Sequence, residues 1–268
     1  MSGVYIGVDS KARKVKGGYI GVDDKARKIK KGYIGDENGI ARLCWNNFDP
    51  VFANNTWEQI AEACRTRRVP DTWLVADQKI MTIDEHDYLI DIIGKNHDDY
   101  ADGSGKAPLT LQFHETYVVG YGMHDQSTNS CGWESSYMRT SRLPGILSLM
   151  PEIVQSSIRE VIKLTSAGNK NSNIVTTADK LFLLSEVEIF GAVTNSFTGE
   201  GTQYEYYKTR DKIKCEINSG VYDGGKNSWW TRSPVKEDTY YFCRVNASGE
   251  ASEGSATSGG YPAPAFCF

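Results

Sequence analysis

Two acidic segments place carboxylates beside imidazoles, a combination that metal sites and acid–base catalysts use. They are Asp84–Asp87, which contains His86, and His97–Asp99. Histidines that share one metal ion usually stand a few residues apart, so that both rings reach the ion. No HxH or HxxxH pair occurs in this sequence, and adjacent residues on a strand point to opposite faces. We therefore expect no metal site at these histidines.

The loop after His97 carries further oxygen ligands of the kind that calcium prefers. They belong to Asp98, Asp99, Asp102 and Ser104. The loop lacks the alternating ligands and the closing glutamate of an EF-hand. The sequence leaves open only a weak calcium site near Asp98–Asp102.

The motifs of nucleophilic catalysis and of phosphate binding are missing. The sequence has no Gly-x-Ser-x-Gly elbow, and Gly103–Lys106 has the wrong spacing for a phosphate-binding loop. We therefore expect no catalytic residue, no cofactor and no enzymatic activity. The alternative is a carbohydrate-active enzyme of the cell wall, which would need two carboxylates in one cleft.

The first 45 residues contain one motif three times. Tyr-Ile-Gly recurs at Tyr5, Tyr19 and Tyr33, which are 14 residues apart. This period is too short for a helical repeat and fits a β-hairpin. The residues expected in the turns are Asp9-Ser10, Asp23-Asp24 and Asp36–Gly39. Because an isolated hairpin is marginally stable, we expect residues 1–45 to be a docking or oligomerisation segment.

The composition of the 268 residues, 40% hydrophobic and 24% charged, is typical of a globular protein. The net charge of −4 argues against nucleic acid as a partner. Residues 11–31 are locally basic, although lysines on hairpin edges commonly serve to prevent aggregation. No apolar run approaches the roughly 20 residues that cross a bilayer, and no signal peptide is recognisable. We expect synthesis in the cytoplasm and no membrane insertion. In that compartment the cysteines are expected to be free thiols, and a Cys243–Cys267 disulfide would require their strands to be neighbours.

The rest of the chain predicts a mixture of helices and strands. Thr56 and Gln59 form a capping box that opens a helix reaching Cys64. The periodicity predicts two further helices, Ser135–Met150 (broken at Pro144) and Pro151–Thr165, followed by a polar loop over Ala167–Asn173. Strands are predicted at Trp73–Val75, Ile80–Ile83, Tyr88–Ile93 and Leu109–Phe113, mixed structure at Ala178–Phe190, and a buried apolar strand at Pro262–Phe268.

Several segments carry a family resemblance. The strongest are Trp229–Pro234, Tyr241–Gly249 and Ala263–Phe268, with others at Trp57–Ala61, Gly132–Ser136 and Ala178–Glu188. They resemble a domain family common in phage tail and surface proteins of gut Firmicutes, and the N-terminal repeats resemble segments that precede this domain in tail proteins. The C-terminal module resembles C-type-lectin-like folds, including the variable proteins of diversity-generating retroelements. Those proteins display a hypermutated C-terminal surface to new receptors.

The resemblance implies an α+β fold, with a C-type-lectin-like ligand-display domain over residues 46–268 preceded by short β-hairpin repeats over residues 1–45. It implies a receptor-binding or adhesion protein of a phage or prophage tail that contacts a host-cell surface protein or glycan. Residues 1–45 would contact other virion tail proteins. By analogy with tail fibres we expect a homo-oligomer, specifically a trimer. The alternative is a purely structural tail or baseplate component that contacts only other virion proteins.

The resemblance directs attention to the surface around the segment Tyr241–Asn246. A bulge near Cys243–Arg244 would let Phe242 and Val245 face inward while their polar neighbours face outward. Tyrosine, arginine and asparagine between small residues suit adaptable recognition, and the Glu-Pro-Asn loop of calcium-dependent lectins is absent. We expect Trp230, Arg232 and Ser233 to pack beneath this surface. The expected ligand-binding residues are Lys236, Glu237, Asp238, Tyr241, Arg244, Asn246, Glu250, Glu253 and Tyr261.

Overall fold

The computed structural model describes residues 48–217 and 225–268 and, within the first 47 residues, the backbone of six strands. The contacts divide the chain into two units, Met1–Pro50 and Val51–Phe268. With 34% of the residues in strands and 19% in helices, the chain is broadly α+β with several small sheets. The described residues contain no helix that combines the length and the apolar character needed to span a bilayer.

The first unit contains the three repeats, and each repeat forms one antiparallel hairpin, as the period predicted. The register keeps the same isoleucine–arginine partners in every copy: Ile6↔Arg13, Ile20↔Arg27 and Ile34↔Arg42. Ile34 and Arg42 are eight positions apart, against seven in the other two copies, so the third copy has one inserted residue and keeps the same pairing. The predicted turn residues lie outside the described part of the chain. The strands are β1 (Tyr5–Val8), β2 (Lys11–Lys14), β3 (Tyr19–Val22), β4 (Lys25–Lys28), β5 (Lys31–Gly35) and β6 (Ala41–Asn46).

The second unit mixes short strands and short helices. Its strands are β7 (Gln78–Ile83), β8 (His86–Lys95), β9 (Leu109–Phe113), β10 (Val161–Gly168), β11 (Asn171–Asp179), β12 (Leu181–Phe182), β13 (Lys214–Cys215), β14 (Lys226–Asn227), β15 (Trp229–Pro234), β16 (Tyr241–Val245), β17 (Ala251–Ser255) and β18 (Ala265–Cys267). Its helices are α1 (Trp57–Arg65), α2 (Leu143–Leu149), α3 (Glu152–Ser157), α4 (Glu186–Phe190) and α5 (Glu205–Thr209), with a 3-10 turn at Phe52–Asn54 and a π-helical turn at Met138–Arg142.

The central sheet of this unit is antiparallel, in the order β12-β18-β9-β8-β7. The last strand of the chain thus lies inside the sheet. Phe266 is fully buried, and Tyr100 donates a hydrogen bond from its hydroxyl to the carbonyl of Phe268 at 2.7 Å. The prediction of a buried C-terminal strand is confirmed.

A second, three-stranded sheet has the order β15-β16-β17. Between β16 and β17 the register is regular from Tyr241↔Ser255 to Val245↔Ala251. Between β15 and β16 it shifts, because Trp230 pairs with Arg244 whereas Pro234 pairs with Phe242. The extra residues are on β15, so the prediction of a bulge at Cys243–Arg244 placed it on the wrong strand. Phe242 and Val245 are buried as predicted.

Some local predictions are confirmed. Thr56 accepts a hydrogen bond from the Gln59 N–H, Gln59 returns one to the Thr56 N–H, and α1 follows. The strands predicted at Ile80–Ile83, Tyr88–Ile93 and Leu109–Phe113 lie within β7, β8 and β9, and Ala178–Phe190 contains both strand and helix.

Other local predictions were wrong. Trp73–Val75 is not a strand. Pro144 lies in the first turn of α2, where a missing N–H costs nothing, so the helix does not break there. The helix predicted to run to Thr165 ends at Ser157, and the polar loop predicted at Ala167–Asn173 is the end of the β10–β11 hairpin. Alternating burial along β10 shows that a two-residue period prevailed over the helical one.

Candidate functional site

The base of the candidate site is β15, in which all six residues are buried. Arg232 is fully buried and donates two hydrogen bonds to the Glu188 carboxylate, at 2.6 and 2.9 Å. Its remaining N–H groups reach Thr165 Oγ1 and the carbonyls of Leu164, Leu183 and Glu200. This is the packing and hydrogen-bonding role predicted for Arg232, and it ties four separate segments to one side chain.

The ion pairs extend beyond Arg232 through Lys163. Its ammonium lies 2.7 Å from Glu188 Oε1 and 2.8 Å from Asp98 Oδ1, and all three side chains are buried. Burial raises the pKa of the Asp98 carboxyl, but the charge and hydrogen bond of Lys163 outweigh it and lower that pKa to about 2. Burial likewise raises the pKa of Glu188, and Arg232 and Lys163 together hold it below its ordinary value. Both carboxylates are therefore charged at neutral pH.

These contacts argue against the weak calcium site that the sequence left open. Asp98 is bound to Lys163, Asp99 lies 3.2 Å from Lys106, and Asp102 pairs with Arg159. Each carboxylate thus already faces a side-chain cation, and the donor set does not fit a calcium ion. Among the described residues, no group of three or more His, Cys, Asp or Glu side chains could hold a metal. Cys243 and Cys267 are both free.

Glu186 connects the base to the loop that follows β15. Its carboxylate accepts hydrogen bonds from the backbone N–H groups of Thr194, Asn195 and Ser196, at 2.8 to 3.1 Å. Lys236 then donates its ammonium to the Thr194 carbonyl and its backbone N–H to the Asn195 carbonyl. Lys236, predicted as a ligand-binding residue, therefore also anchors the loop that begins at Val235.

Asn129, which the sequence did not single out, fixes the same loop from the other side. It is fully buried and donates from Nδ2 to the carbonyls of Asp238 and Tyr241, both at 2.8 Å. Its backbone N–H donates to the Thr239 carbonyl, and its Oδ1 accepts from the Asn169 N–H. One side chain thus joins the loop before β16 to the tip of the β10–β11 hairpin. Nothing in the local sequence pattern signals such a residue, because its partners are 40 to 112 positions away.

Arg244 and Asn246, two of the predicted ligand-binding residues, are partly committed to the fold. The Arg244 guanidinium lies over the buried Trp230 ring, 5.8 Å from its centroid. A Cβ at Gly254 would lie 2.8 Å from Arg244 Nη1, so glycine provides the room for this stack. Asn246 Oδ1 accepts from the N–H groups of Ser248 and Glu250, and its Nδ2 donates to Glu250 Oε2. Asn246 thereby shapes the turn between β16 and β17.

Other predicted positions are open to solvent. Glu237, Glu250 and Glu253 are exposed, whereas Tyr241 is only half-buried. The adjacent Tyr240, which the sequence did not select, is 55% exposed. Asp238 Oδ1 accepts the Tyr240 N–H at 2.5 Å, an Asx turn that starts a tight reversal before β16. The sequence Asp238-Thr239-Tyr240 could have indicated this exposed aromatic.

The register divides the predicted residues between two ends of the small sheet. Tyr241 pairs with Ser255 at the end that carries the loop Lys236–Tyr240, whereas Asn246 and Glu250 lie at the opposite end. Tyr261 forms a bridge with Trp229, whose partner in the sheet is Val245, so it belongs nearer the second end. At about 3.3 Å per residue, Tyr241 and Asn246 are roughly 16 Å apart along the strand. Glu253 pairs with Cys243 and lies midway between the two ends. We call the first end, with the loop Lys236–Tyr240 and Thr257, together with the exposed Glu253 beside it, the display end.

The described residues thus define an α+β protein in which a buried ionic cluster centres on Arg232 of β15, an edge strand of a small, partly exposed sheet. Residues 110–268 match the domain of unknown function DUF6273. Because this match spans more than half of the chain, the chain belongs to that family. Arg232, Glu188, Lys163 and the display end lie within the matched region, whereas Asp98 lies before it. No match was found among curated proteins or among solved structures.

Proposed function

We propose that this chain is a receptor-binding or adhesion protein of a phage or prophage tail. Residues 46–268 would be a C-type-lectin-like domain that displays a variable surface to a host-cell surface protein or glycan. The observation that carries the proposal is the contrast between the buried residues around Arg232 and the exposed side chains of the display end, Glu237, Tyr240 and Glu253.

This contrast suits a surface that changes while the fold persists. Substitutions at exposed positions away from special features usually alter stability by less than about 0.5 kcal/mol. Exposed residues such as Tyr240 and Glu253 can therefore be substituted with little loss of stability, whereas the ion pairs of Arg232 and Lys163 hold β10, β15 and α4 together. An exposed tyrosine offers a rigid aromatic face and a hydroxyl, the combination that adaptable binding surfaces favour. Binding would be direct, through stacking and hydrogen bonds, without a metal or cofactor.

The N-terminal hairpins would attach the domain to other tail proteins. Two-stranded hairpins are marginally stable alone, and three of them in series gain stability by assembly. We propose a homo-oligomer, specifically a trimer, within the virion tail. Sedimentation of the full chain at micromolar concentration would give the trimer mass, and a monodisperse monomer would contradict the assembly.

The binding proposal is tested with purified protein and envelopes of candidate host bacteria. The display variant changes Glu237, Tyr240 and Glu253 to alanine. A matched control changes two exposed glutamates and one exposed apolar residue elsewhere in the second unit, Glu58, Glu152 and Leu149. Both variants should melt at the wild-type temperature.

The expected result is that only the display variant loses envelope binding. Equal binding by both variants would refute the display end as the receptor site. If the wild-type chain binds no envelope but does bind purified tail proteins, the purely structural tail or baseplate role replaces the adhesion role.

A further inference from the structure

A cavity of about 190 Å³ lies between the turn Ser130–Ser135 and the hairpin formed by β10 and β11. Ser130, Glu134 and Ser135 line it and are exposed, so they form its mouth, whereas Trp133 and Ser166 line it and are buried. Drug-sized ligands occupy pockets of about 300 Å³ or more. This cavity is smaller, and its volume equals that of about six water molecules, which suits a single ring-sized ligand.

The lining is rich in hydroxyl groups that keep unused hydrogen-bonding capacity. Thr165 Oγ1 accepts from Arg232 Nε and retains its own proton, whereas Thr177 Oγ1 donates to Asp179 Oδ2 and retains its lone pairs. Ser166 Oγ is buried and makes no hydrogen bond shorter than 3.5 Å with a described residue, although it lies near the Glu200 carboxylate, to which the Ser166 backbone N–H donates at 2.8 Å. An unpartnered buried hydroxyl costs free energy unless a ligand or water satisfies it.

Trp133, which lies next to the Thr177 hydroxyl, is fixed before any ligand enters. Trp133 is fully buried, and its Nε1 donates to Asp179 Oδ2 at 3.0 Å. Asp179 is held in turn by Arg139 Nε at 2.5 Å. Ala167 and Val175 add apolar surface to the lining. A preorganised site of this kind loses little conformational entropy on binding.

We propose that this cavity binds one neutral sugar residue. Each sugar hydroxyl is both a donor and an acceptor, which matches the mixture of free protons and lone pairs on Thr165, Ser166 and Thr177, while the C–H faces match the apolar wall. No lysine or arginine lines the cavity and Glu134 stands at its mouth, so an anionic sugar is disfavoured. The site is distinct from the display end, and the proposal does not depend on the proposed function.

The test uses the full chain and isothermal titration with four neutral probes: glucose, galactose, N-acetylglucosamine and N-acetylgalactosamine. Glucuronate serves as the anionic comparison. Ser135→Trp places a large ring at the mouth, and Ser156→Trp is the matched control on an exposed position of α3. Ser166→Ala removes this hydroxyl, so we expect unchanged or slightly higher stability and about three- to tenfold weaker binding, the effect of one neutral hydrogen bond.

The expected result is millimolar or tighter binding of at least one neutral probe, abolished by Ser135→Trp and unchanged by Ser156→Trp. Three results would overturn the proposal: no binding of any neutral probe, equal or tighter binding of glucuronate, or unaltered binding by Ser135→Trp. If Ser135→Trp does not fold, the affinity of Ser166→Ala decides, and an affinity equal to that of the wild type overturns the proposal.

Discussion

Replacing Arg232 with methionine should remove the centre of the buried base while nearly preserving side-chain volume. The substitution removes both hydrogen bonds to the Glu188 carboxylate. It also removes the hydrogen bonds that Arg232 donates to the carbonyls of Leu164, Leu183 and Glu200. The distances are 2.6 to 3.0 Å and the side chain is fully buried, so water does not replace these bonds without opening the fold.

The magnitude follows from the burial of the pair. Removing one partner of a buried ion pair costs about 3–5 kcal/mol, and each orphaned buried acceptor adds about 1–3 kcal/mol. Lys163 remains 2.7 Å from Glu188 Oε1 and retains part of the charge compensation. We therefore expect the free energy of unfolding to fall by at least about 4 kcal/mol. That is a large fraction of the roughly 5–15 kcal/mol by which most domains are stable.

The assay is urea unfolding at pH 7, followed by tryptophan fluorescence and far-ultraviolet circular dichroism. Arg65→Met is the matched control, because Arg65 is 70% exposed and its ion pair with Glu62 is a surface pair worth less than about 1 kcal/mol. A loss below about 1 kcal/mol for Arg232→Met, or equal losses for both variants, would refute the view that the ionic base holds the C-terminal half together.

Three further predictions concern stability. The pKa of Asp98 is about 2 in the folded protein and ordinarily 3.8, so its pairing with Lys163 stabilises the fold above about pH 4. Up to about 2 kcal/mol of the free energy of unfolding should be lost between pH 4 and pH 2. The urea midpoint should therefore change less with pH in Asp98→Asn than in the wild type, and an equal pH dependence in the two proteins would contradict the pairing. Gly168→Ala should lower the free energy of unfolding by at least about 2 kcal/mol, because φ is +78° and a Cβ would lie 1.9 Å from a backbone oxygen. In the control Gly145→Ala, in α2, the new Cβ meets no atom within 4 Å, so this variant should be neutral or slightly stabilised in the same assay. Thr56→Ala should cost about 1 kcal/mol in thermal unfolding by removing the N-cap of α1, and an unchanged melting temperature would argue against the capping box.

The sequence by itself determined the features that depend on neighbouring residues. The 14-residue spacing of Tyr5, Tyr19 and Tyr33 predicted three hairpins, and the Thr56–Gln59 pair predicted the start of α1, because turns and caps are satisfied within a few positions. The apolar end of the chain predicted a buried strand. Burial of Arg232 could also be expected from its setting between apolar and small residues.

Only the tertiary structure decided what those residues meet. Val161–Thr165 fits the helical apolar period, but its pairing with β11 makes it a strand, and the buried face of that strand carries the polar Lys163 and Thr165. The partners of Arg232 lie 32 to 68 positions away, and those of Asn129 lie 40 to 112 positions away, separations that no local period encodes. The display end and the sugar cavity likewise arise where distant loops are brought together. Hydrogen bonds and ion pairs act over about 3 Å in space regardless of separation along the chain, so folding alone assembles these sites.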